Sequence, residues 1–337
     1  MKKVKFCLIG AGRAGMVNAK NFEFNIAESE VVAVVDFDLE VAREAAEELN
    51  TNDYYTNFEE ALIKSDFNAV CIGVPTFAHC EAIIKAAEAG KHIYSEKPLC
   101  ISLKEVDKIE RVIKENKVKF QIDFMRRFDK NFLRAKKLVE EGAIGTPILI
   151  KSVGRGPGLP PEWYADLNKS NGLLAEVNSH DFDSIRWLIG SNFKQVYALA
   201  NNFKLPQYKE KYPDFYDTAA VILKFENGVL GMVDGCCPAT YGYDARVEIL
   251  GTEGMLQIGS QQAYSILVWN KDKNLISEGN QSWRTLFKDA YKEGARHFVN
   301  CILTDSEPKV GIIDGKKAVE IVIAANKSIK SGKPIDL

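Results

Sequence analysis

The sequence lacks a surplus of positive charge, and it lacks any long apolar run. Its 44 Lys and Arg residues are offset by 46 Asp and Glu residues, which leaves a formal charge of −2 at pH 7. A protein that binds nucleic acid usually carries a basic excess, and a membrane-spanning helix needs roughly eighteen apolar residues in succession. We therefore expect neither a nucleic acid nor a membrane as a partner.

The sequence also lacks the spacings that mark disulfide frameworks and metal sites. Its seven cysteines include no CxxC pair, and its four histidines show no zinc-type spacing with them. An odd and scattered set of cysteines is typical of reduced thiols in a cytoplasm. We expect a cytoplasmic protein without a bound metal ion.

Three glycines stand where an apolar run ends and a helical pattern begins. Val4 to Ile9 predicts a buried strand, and Arg13 to Phe24 has the spacing of a helix. In such a turn one glycine permits the reversal, the next lets a pyrophosphate approach, and the third allows helix and strand to pack closely. The helix N-terminus then offers NH groups to the anion. The candidate cofactor-binding residues of this turn are Gly10, Gly12, Arg13 and Ala14, and Gly15 is the packing glycine.

A carboxylate follows the second predicted strand. Val31 to Val35 ends at Asp36, about twenty residues past the last glycine, where an acidic residue meets the adenosine ribose in dinucleotide-binding folds. Asp36 is able to accept from both ribose hydroxyls and would repel a 2'-phosphate. Phe37 and Asp38 follow, so no arginine is present to bind that phosphate. This predicts NAD rather than NADP, and the alternative is that Asp36 only caps the helix beginning near residue 39.

Strands and helices alternate over the first third of the chain, which predicts an α/β fold with a Rossmann-type, doubly wound parallel sheet. The predicted strands are 4–9, 31–35, 68–73, 92–95 and 118–122, and the predicted helices are 13–24, 39–49, 58–64, 78–89 and 103–116. Asn57 marks one helix start, and Ser102 with Glu105 marks another. We place the NAD(P)-binding domain at residues 1–122.

Strands outnumber helices over residues 123–337, which predicts an α+β domain with a large, open, mainly antiparallel sheet. The predicted strands are 147–153, 195–203, 218–225, 229–236, 245–251 and 265–269, with a hairpin at Asn227-Gly228 and helices at 131–141 and 314–332. The last helix is expected to pack back toward the first domain. Because an uncovered sheet face usually finds a partner, we expect this substrate-binding domain to form a homo-oligomer, a dimer or a tetramer, through its sheet.

Ligands of an open α/β sheet lie beyond the carboxyl ends of its strands, and the strand at 68–73 delivers one further segment there. This strand leads to Val74 and Pro75, which are expected to lie along the cofactor. His79 follows in the first turn of the next helix. It is a cofactor-binding candidate, and the alternative is a partly exposed helix residue.

The strand at 92–95 delivers Glu96 and Lys97 to the same edge. Both are candidates for contact with the cofactor. The ammonium of Lys97 is able to hydrogen-bond a hydroxyl that is being oxidised and to stabilise the alkoxide that forms on it. The alternative for Lys97 is a surface salt bridge.

A third candidate is the run from Gly172 to Asp183. If this run is helical, Glu176, His180 and Asp183 share one face. His180, with an ordinary pKa near 6.5, is able to take a hydroxyl proton, and Glu176 is able to orient the imidazole. The alternative is a capped helix with a solvated acidic face.

Together these motifs resemble the family of glucose-fructose oxidoreductase, inositol 2-dehydrogenase and the MocA-type proteins, over nearly the whole chain. The matching segments are Gly10-Ala-Gly12-Arg-Ala-Gly15, Glu96-Lys97-Pro98-Leu99, Met125-Arg126-Arg127-Phe128-Asp129, Gly172 to Asp183, Tyr241-Gly-Tyr243-Asp244 and Ala324-Ala-Asn326-Lys-Ser. The resemblance implies an NAD(P)-dependent dehydrogenase that oxidises a secondary hydroxyl of a cyclic polyol or sugar to a ketone without a metal. It leans toward the inositol branch.

The resemblance also implies roles for single residues. Lys97 and His180 would hold and deprotonate the reacting hydroxyl. Three other positions correspond to residues that contact further hydroxyls in the inositol dehydrogenases, and these are Arg127, Asp183 and Tyr243.

The chain departs from the family pattern at two positions. Glu176 stands where the family usually has an aspartate, and its extra methylene moves the carboxylate by about an ångström. Arg155 stands where inositol enzymes tend to offer a histidine or an asparagine, so it is a candidate for binding a carboxylate or a ring oxygen. The same scaffold also leaves two other functions open: a non-catalytic NAD-sensing regulator, and a glycosidase that uses NAD transiently.

Overall fold

The chain folds into two compact units, seen in a computed structural model that describes residues 3–272 and 275–337. The first unit comprises the residues up to Phe128 together with Asp289–Val319. The second comprises Asp129–Lys288 together with Glu320–Leu337. Within the described residues, no helix has the length and apolar character needed to cross a membrane.

The first unit is built on a six-stranded parallel sheet. Its strands are β1 Val4–Ile9, β2 Ser29–Val35, β3 Tyr54–Tyr55, β4 Ala69–Ile72, β5 His92–Ser95 and β6 Phe120–Ile122, in the order β3-β2-β1-β4-β5-β6. The helices between them are α1 Arg13–Phe24, α2 Leu39–Glu48, α3 Phe58–Lys64, α4 Thr76–Glu88 and α5 Leu103–Asn116, and a 3-10 turn follows at Met125–Phe128. The order reverses between β1 and β4, as in a doubly wound fold. The predicted fold class is confirmed here, and only the short β3 was missed, because two residues carry no periodicity.

Polar side chains start several of these helices. Asn57 accepts from the NH of Glu60 at the start of α3, and Ser102 accepts from the NH of Glu105 at the start of α5. Such caps satisfy amide groups that the first turn leaves without partners. The two predicted helix starts are therefore confirmed.

The second unit is built on a seven-stranded sheet. The strands along this part of the chain are β7 Pro147–Arg155, β8 Phe193–Asn201, β9 Thr218–Phe225, β10 Leu230–Cys236, β11 Asp244–Gly251, β12 Met255–Ile258, β13 Val268–Trp269, β14 Leu275–Ile276 and β15 Ile335–Asp336. The helices along this part of the chain are α6 Lys130–Glu140, α7 Glu162–Ala165, α8 Leu167–Ser170, α9 Leu173–Glu176, α10 Ser179–Ile189, α11 Trp283–Leu286, α12 Lys288–Thr304 and α13 Ile312–Ser331, with a 3-10 turn at Pro206–Tyr208. Nearly all of α12 and the first part of α13 belong to the first unit. The sheet order is β12-β11-β7-β10-β9-β8-β15, and β13 pairs with β14 outside it.

The seven-stranded sheet is mainly antiparallel, as predicted. Only the pair of β7 and β10 is parallel among the six neighbouring pairs. The strand predicted at 265–269 is shorter than expected and lies outside this sheet. Its pairing with β14 covers two residues, and so short a pairing leaves no periodicity in the sequence from which to predict its bounds or its sheet.

One face of this sheet is apolar and open. Along β9 and β10 buried and exposed residues alternate, so Val221 and Val233 point into the core. On the opposite face Ile222 is 54% exposed and Leu230 is 52% exposed. Contiguous apolar exposure of this kind marks a surface that another protein covers in many cases.

An aromatic cluster forms the core of the first unit. Phe6 of β1 stacks on Phe22 of α1 with ring centroids 3.8 Å apart, and Tyr94 of β5 lies 5.6 Å from Phe298. All four side chains are buried. Phe298 belongs to α12, so a segment that follows the second sheet in sequence completes the first core. A first domain that ends at residue 122 leaves out this segment. The contacts of the segment are long-range, so no local pattern in the sequence predicts them.

Candidate active site

The turn between β1 and α1 packs backbone against backbone. A Cβ on Gly15 would lie 2.1 Å from the Gly10 carbonyl oxygen, and a Cβ on Gly10 would lie 2.6 Å from the Val74 nitrogen. Gly73, just after β4, completes the contact, because its Cβ would lie 2.6 Å from the Gly15 Cα. Any larger residue at these three positions would collide with backbone. Gly73 is a partner that the sequence reasoning did not single out.

The start of α1 is open in front of this packed turn. Gly12 is the N-cap residue, and it provides no side-chain hydrogen bond to the helix. A Cβ on Gly12 would approach nothing closer than the Gly73 oxygen at 3.9 Å. The first turn, with Arg13 and Ala14, therefore presents amide groups that no N-cap side chain satisfies. This arrangement fits a pyrophosphate.

Asp36 is held against the same turn. Its Oδ2 accepts from the Ala11 nitrogen at 2.8 Å, and its Oδ1 accepts from the Asp38 nitrogen at 3.2 Å. The cap of α2 is Asp38, whose Oδ1 accepts from the Glu40 nitrogen. The interpretation of Asp36 as only a helix cap is therefore wrong. Its carboxylate stands at the carboxyl end of β2, which fits a ribose.

His79 joins two loops of the first unit. Its Nδ1 lies 2.6 Å from the Pro98 oxygen and its Nε2 lies 2.9 Å from the Val74 oxygen. The side chain is buried rather than partly exposed, and burial lowers the pKa of His79 to about 4 against the opposing effect of the two carbonyl bonds. Pro75, the N-cap residue of α4, lies between these contacts in sequence. The imidazole therefore lies between the loops that follow β4 and β5 and holds them together. A direct contact between His79 and the cofactor stays a prediction.

A buried pair of acids lies behind the loop after β5. The Asn18 Nδ2 donates to Glu96 Oε1 and to Asp123 Oδ2, both at 2.9 Å. Burial, with the nearby charge of Asp123, raises the pKa of Glu96 well above its ordinary value. Burial also raises the pKa of Asp123 to about 6, although the hydrogen bond from Asn18 opposes that rise. Both acids are therefore harder to ionise than a carboxyl group in water.

Lys97 follows this pair directly and is half-buried. Its backbone nitrogen donates to Glu96 Oε2 at 3.2 Å. The positive charge of Lys97 opposes the rise in the pKa of both acids, so the ammonium is electrostatically linked to them. The acid pair and Asn18 were not recognised as a unit from the sequence, because they come from three distant segments.

The parallel sheet gathers four predicted positions at one edge. Gly10, Asp36, Val74 and Lys97 follow β1, β2, β4 and β5, and these strands are parallel neighbours. Their carboxyl ends therefore meet at the same edge. Within the first unit the candidate cofactor-binding residues do lie together.

Arg127 has a partner of its own. Its Nη2 lies 2.9 Å from Asp314 Oδ1, and both side chains are largely buried. Asp314 Oδ2 also accepts from the Gly311 nitrogen at 3.1 Å. The guanidinium is thus held in place within the first unit by the start of α13.

The run from Gly172 to Asp183 is two helices. The helix α9 ends at Glu176, and α10 begins at Ser179. The helical spacing assumed between Glu176 and His180 is therefore absent, while His180 and Asp183 do lie within one helix. His180 and Asp183 are 7% and 2% exposed, which also excludes a solvated acidic face. Asn178 stands at the break between the helices.

Arg155 and Tyr243 lie in the second unit, and Tyr243 lines a cavity there. Arg155, at the end of β7, donates from Nε to Asp234 Oδ1 at 2.6 Å and from Nη1 to the Tyr241 hydroxyl at 3.1 Å. Tyr243 is 9% exposed, and its nitrogen donates to the Asn280 oxygen at 2.7 Å. A cavity of about 320 Å³ is lined by both tyrosines and by Asn280. Arg155 already has an acidic partner, which an incoming carboxylate would have to share.

Metal ligation has no obvious location in the part of the chain that the structure describes. There, no group of three or more His, Cys, Asp or Glu side chains is arranged to hold an ion. The buried acids Glu96 and Asp123 face an amide and an ammonium instead.

Comparison with known proteins places the chain in a family. Residues 4–124 match the model described as an oxidoreductase family with an NAD-binding Rossmann fold, and residues 132–257 match the GFO/IDH/MocA C-terminal domain. The chain is 33% identical to the scyllo-inositol 2-dehydrogenase (NAD(+)) of Bacillus subtilis over 335 residues, which cover 99% of this chain and 96% of that protein. The chain belongs to the GFO/IDH/MocA oxidoreductase family.

Solved structures of this family resemble the chain over its whole length. Myo-inositol 2-dehydrogenase from Lactobacillus plantarum has a TM-score of 0.93 and 30% identity, with 100% of both chains covered. Scyllo-inositol dehydrogenase from Lactobacillus casei, solved with NAD(H) and scyllo-inositol, has a TM-score of 0.89 and 28% identity, with 99% of both chains covered. The resemblance deduced from the motifs is confirmed. This GFO/IDH/MocA protein is an oxidoreductase with NAD as its cofactor, which the open start of α1 and the fixed carboxylate of Asp36 fit.

Proposed function

We propose that this protein is an NAD-dependent dehydrogenase that oxidises a secondary hydroxyl of a cyclic polyol or sugar to a ketone, with inositols as the leading substrates. The observation that carries the proposal is the 33% identity with the scyllo-inositol 2-dehydrogenase of Bacillus subtilis over 99% of the chain, together with the presence of Lys97 and His180 in their family motifs. Free inositols, hexoses and related rings are the compounds to test first.

We assign the acid–base work to Lys97 and His180. The ammonium of Lys97 donates a hydrogen bond to the reacting hydroxyl and stabilises negative charge on its oxygen. The imidazole of His180 takes the hydroxyl proton, and the carboxylate of Glu176 supports the imidazolium. NAD, held by the β1–α1 turn and Asp36, would supply the hydride acceptor for the carbon that carries this hydroxyl. The alcohol thus loses one hydride and one proton to give a ketone.

Other residues of the proposal bind the ring or the cofactor. Gly10, Gly12, Arg13 and Ala14 offer backbone to the pyrophosphate, and Asp36 accepts from the ribose. The hydroxyls that do not react are assigned to Arg127, Arg155, Asp183 and Tyr243. The cavity beside Tyr243 supports the assignment of Tyr243. Arg127 forms an ion pair with Asp314, so a substrate hydroxyl would share its guanidinium with that carboxylate.

The proposed oligomer and the proposed cytoplasmic location rest on two separate observations. The apolar face that includes Ile222 and Leu230 is the surface we assign to a second copy of the chain, as a dimer or a tetramer. The free cysteines of the described chain favour the cytoplasm. Sedimentation at micromolar concentration tests the assembly, and a monomeric mass would refute it.

The decisive experiment combines a substrate screen with two variants. NADH formation is followed for inositol isomers, hexoses, aminosugars and anhydrosugars with NAD and with NADP. On the best substrate, Lys97→Ala and His180→Ala should each lower turnover by about a thousandfold, because each removes a proton-handling group. NADH binding, measured by its fluorescence, should stay within about threefold of the wild-type value.

Lys64→Ala is the matched control, since Lys64 forms a surface pair with Glu60, and it should leave turnover unchanged. Rates near wild type in either active-site variant would refute the residue assignment. Release of a sugar from a glycoside without net NADH would indicate the glycosidase, and NAD binding without turnover of any compound would indicate the regulator.

A further inference from the structure

Asn178 is the N-cap residue of α10, but its side chain does not cap the helix. Asparagine at an N-cap usually accepts a hydrogen bond from the second or third helical NH, yet Asn178 makes no such bond. Its Nδ2 donates to Asp181 Oδ2 at 2.9 Å, and it also lies 3.3 Å from the Gly154 oxygen and 3.4 Å from the Asp234 oxygen. The amide therefore links the first turn of α10 to β7 and β10.

Two glycines make the space for this link. Gly154 of β7 and Gly235 of β10 are direct partners in the parallel register. A Cβ on Gly154 would lie 1.9 Å from Asp181 Oδ2, and a Cβ on Gly235 would lie 2.0 Å from Asn178 Oδ1. Both strands thus have a glycine at the point where the side chains of Asn178 and Asp181 pack against the sheet.

The pair is buried, and both carboxylate oxygens of Asp181 accept hydrogen bonds. Asn178 and Asp181 are each 0% exposed, and the Ser152 Oγ donates to Asp181 Oδ1 at 2.6 Å. Each carboxylate oxygen of Asp181 therefore accepts one hydrogen bond. The Asn178 Oδ1 has no hydrogen-bond partner among the residues that the structure describes, so the directional bonds of this pair are those of the Asn178 Nδ2 and of the two Asp181 oxygens. Directional bonds favour one arrangement of the helix on the sheet, whereas an apolar contact tolerates several.

We propose that Asn178 and Asp181 are positioning residues that set the orientation of His180. They flank His180 in the first turn of α10, and the carbonyl of His180 itself accepts from the Ser184 Oγ at 2.5 Å. With the backbone fixed on both sides, the imidazole leaves the helix in one direction. The inference rests on the proposed catalytic role of His180, but it concerns the conformation of the ring and is measurable without substrate.

The chemistry of the pair gives each substitution its own signature. Asp181→Asn keeps one acceptor oxygen for the Asn178 Nδ2, and its new amide NH2 donates to the Ser152 Oγ, which then accepts instead of donating. The variant should therefore behave nearly as wild type. Asn178→Asp brings two carboxylates together in a buried site, where they are able to coexist only by sharing a proton. That variant should be impaired at high pH and should recover as the pH falls. Asn178→Ala removes the link at every pH.

The test is side-chain NMR of the protein labelled with ¹⁵N-histidine, recorded between pH 5 and 9. The chain has four histidines, so His79, His92 and His297 serve as internal references for His180. Asn178→Ala should change the tautomer ratio and the midpoint of the His180 titration, while the other three rings are unchanged. In turnover, kcat should fall about tenfold to a hundredfold with a small change in KM, because displacement of a catalytic group by an ångström has this effect.

Ser328→Ala is the matched control for a general loss of stability. The Ser328 Oγ is also buried in the second unit and bonds the Ala198 nitrogen at 3.0 Å and the Lys333 oxygen at 2.7 Å. Ser328→Ala should lower the unfolding midpoint without moving the His180 signals. The inference is overturned if Asn178→Ala and Ser328→Ala leave the same His180 spectrum, or if Asn178→Asp shows no recovery at low pH. A moved His180 spectrum with no dehydrogenase activity in the wild type would instead refute the proposed function alone.

Discussion

The two units use glycine for opposite purposes. In the first, glycines around the β1–α1 turn let backbone approach backbone, and the open helix start remains for an anion. In the second, Gly154 and Gly235 let polar side chains fit between a helix and a sheet. The first arrangement builds a binding surface from the main chain, and the second fixes the direction of a side chain. The proposed cofactor binding and the proposed proton transfer would thus depend on different kinds of packing within one protein.

Replacing the packing glycine of the first unit should have the largest effect. In Gly15→Ala the new methyl group would lie 2.1 Å from the Gly10 oxygen, so the helix must move away from the strand. We expect a loss of about 3 kcal/mol in the free energy of unfolding and no measurable NADH binding. Urea unfolding and NADH fluorescence measure the two quantities.

Gly12→Ala separates binding from folding at the same turn. A Cβ there meets only the Gly73 oxygen at 3.9 Å, so the unfolding midpoint should stay near wild type while NADH binding is lost through obstruction of the pyrophosphate. If Gly12→Ala and Gly15→Ala lose equal stability, the separation between a packing glycine and a binding glycine is wrong.

Replacing a glycine of the second unit should have the next largest effect. In Gly235→Ala the methyl group would lie 2.0 Å from the Asn178 Oδ1, so the polar pair must leave its place. We expect a loss of about 2 kcal/mol in the free energy of unfolding, with NADH affinity unchanged. Gly156→Ala is the control, because its Cβ would lie 3.7 Å from the Cys237 Sγ in ordinary contact. Weaker NADH binding in Gly235→Ala would contradict the division of labour between the units.

The two sets of glycines also differ in whether their role could be predicted from the sequence. The β1–α1 turn is local, and its glycines sit between an apolar run and a helical pattern, so the turn, the cofactor and the parallel sheet were predicted and confirmed. Gly154 and Gly235 belong to strands far apart in sequence. Their meaning depends on a parallel register that no local pattern encodes, and the same holds for the assembly of Asn18, Glu96 and Asp123.

The prediction of one helix from Gly172 to Asp183 was wrong. The offsets from Glu176 to His180 and Asp183 fit one helix, but the chain breaks before Ser179. At the break, the Asn178 side chain bonds the sheet and the next turn instead of capping α10. Long-range hydrogen bonds thus override a local periodicity at the site itself, and these bonds were not visible in the sequence.

Asp36→Asn should change cofactor affinity by a smaller amount. The amide oxygen still accepts from the Ala11 nitrogen, so the contact with the β1–α1 turn is kept. The bond from the Asp38 nitrogen is lost, and so is the charge that repels a 2'-phosphate. We expect NADH to bind about tenfold more weakly and the preference over NADPH to narrow. Titration of both cofactors measures this, with Asp38→Asn as the control because Asp38 caps α2. An unchanged preference would show that Asp36 does not select the cofactor.

Glu96→Gln should have an effect on stability whose size depends on pH, and near pH 5 it should be the smallest of these effects. Burial raises the pKa of Glu96 well above its ordinary value, so the folded chain keeps a proton that the unfolded chain releases. Wild-type stability therefore falls as pH rises above the ordinary glutamate pKa, and below that pKa this loss is absent. A glutamine imitates the protonated acid beside Asp123 at every pH.

The variant should accordingly gain on the wild type as pH rises from 5 to 8, by at most about 1.4 kcal/mol per pH unit. Urea unfolding of both proteins at each pH measures the difference, and Glu88→Gln on the exposed end of α4 supplies the baseline for losing a surface carboxylate. Parallel stability curves would mean that Glu96 is ionised in the fold. In that case Glu96 and Asp123 would both carry a negative charge near Lys97, instead of holding one proton between them.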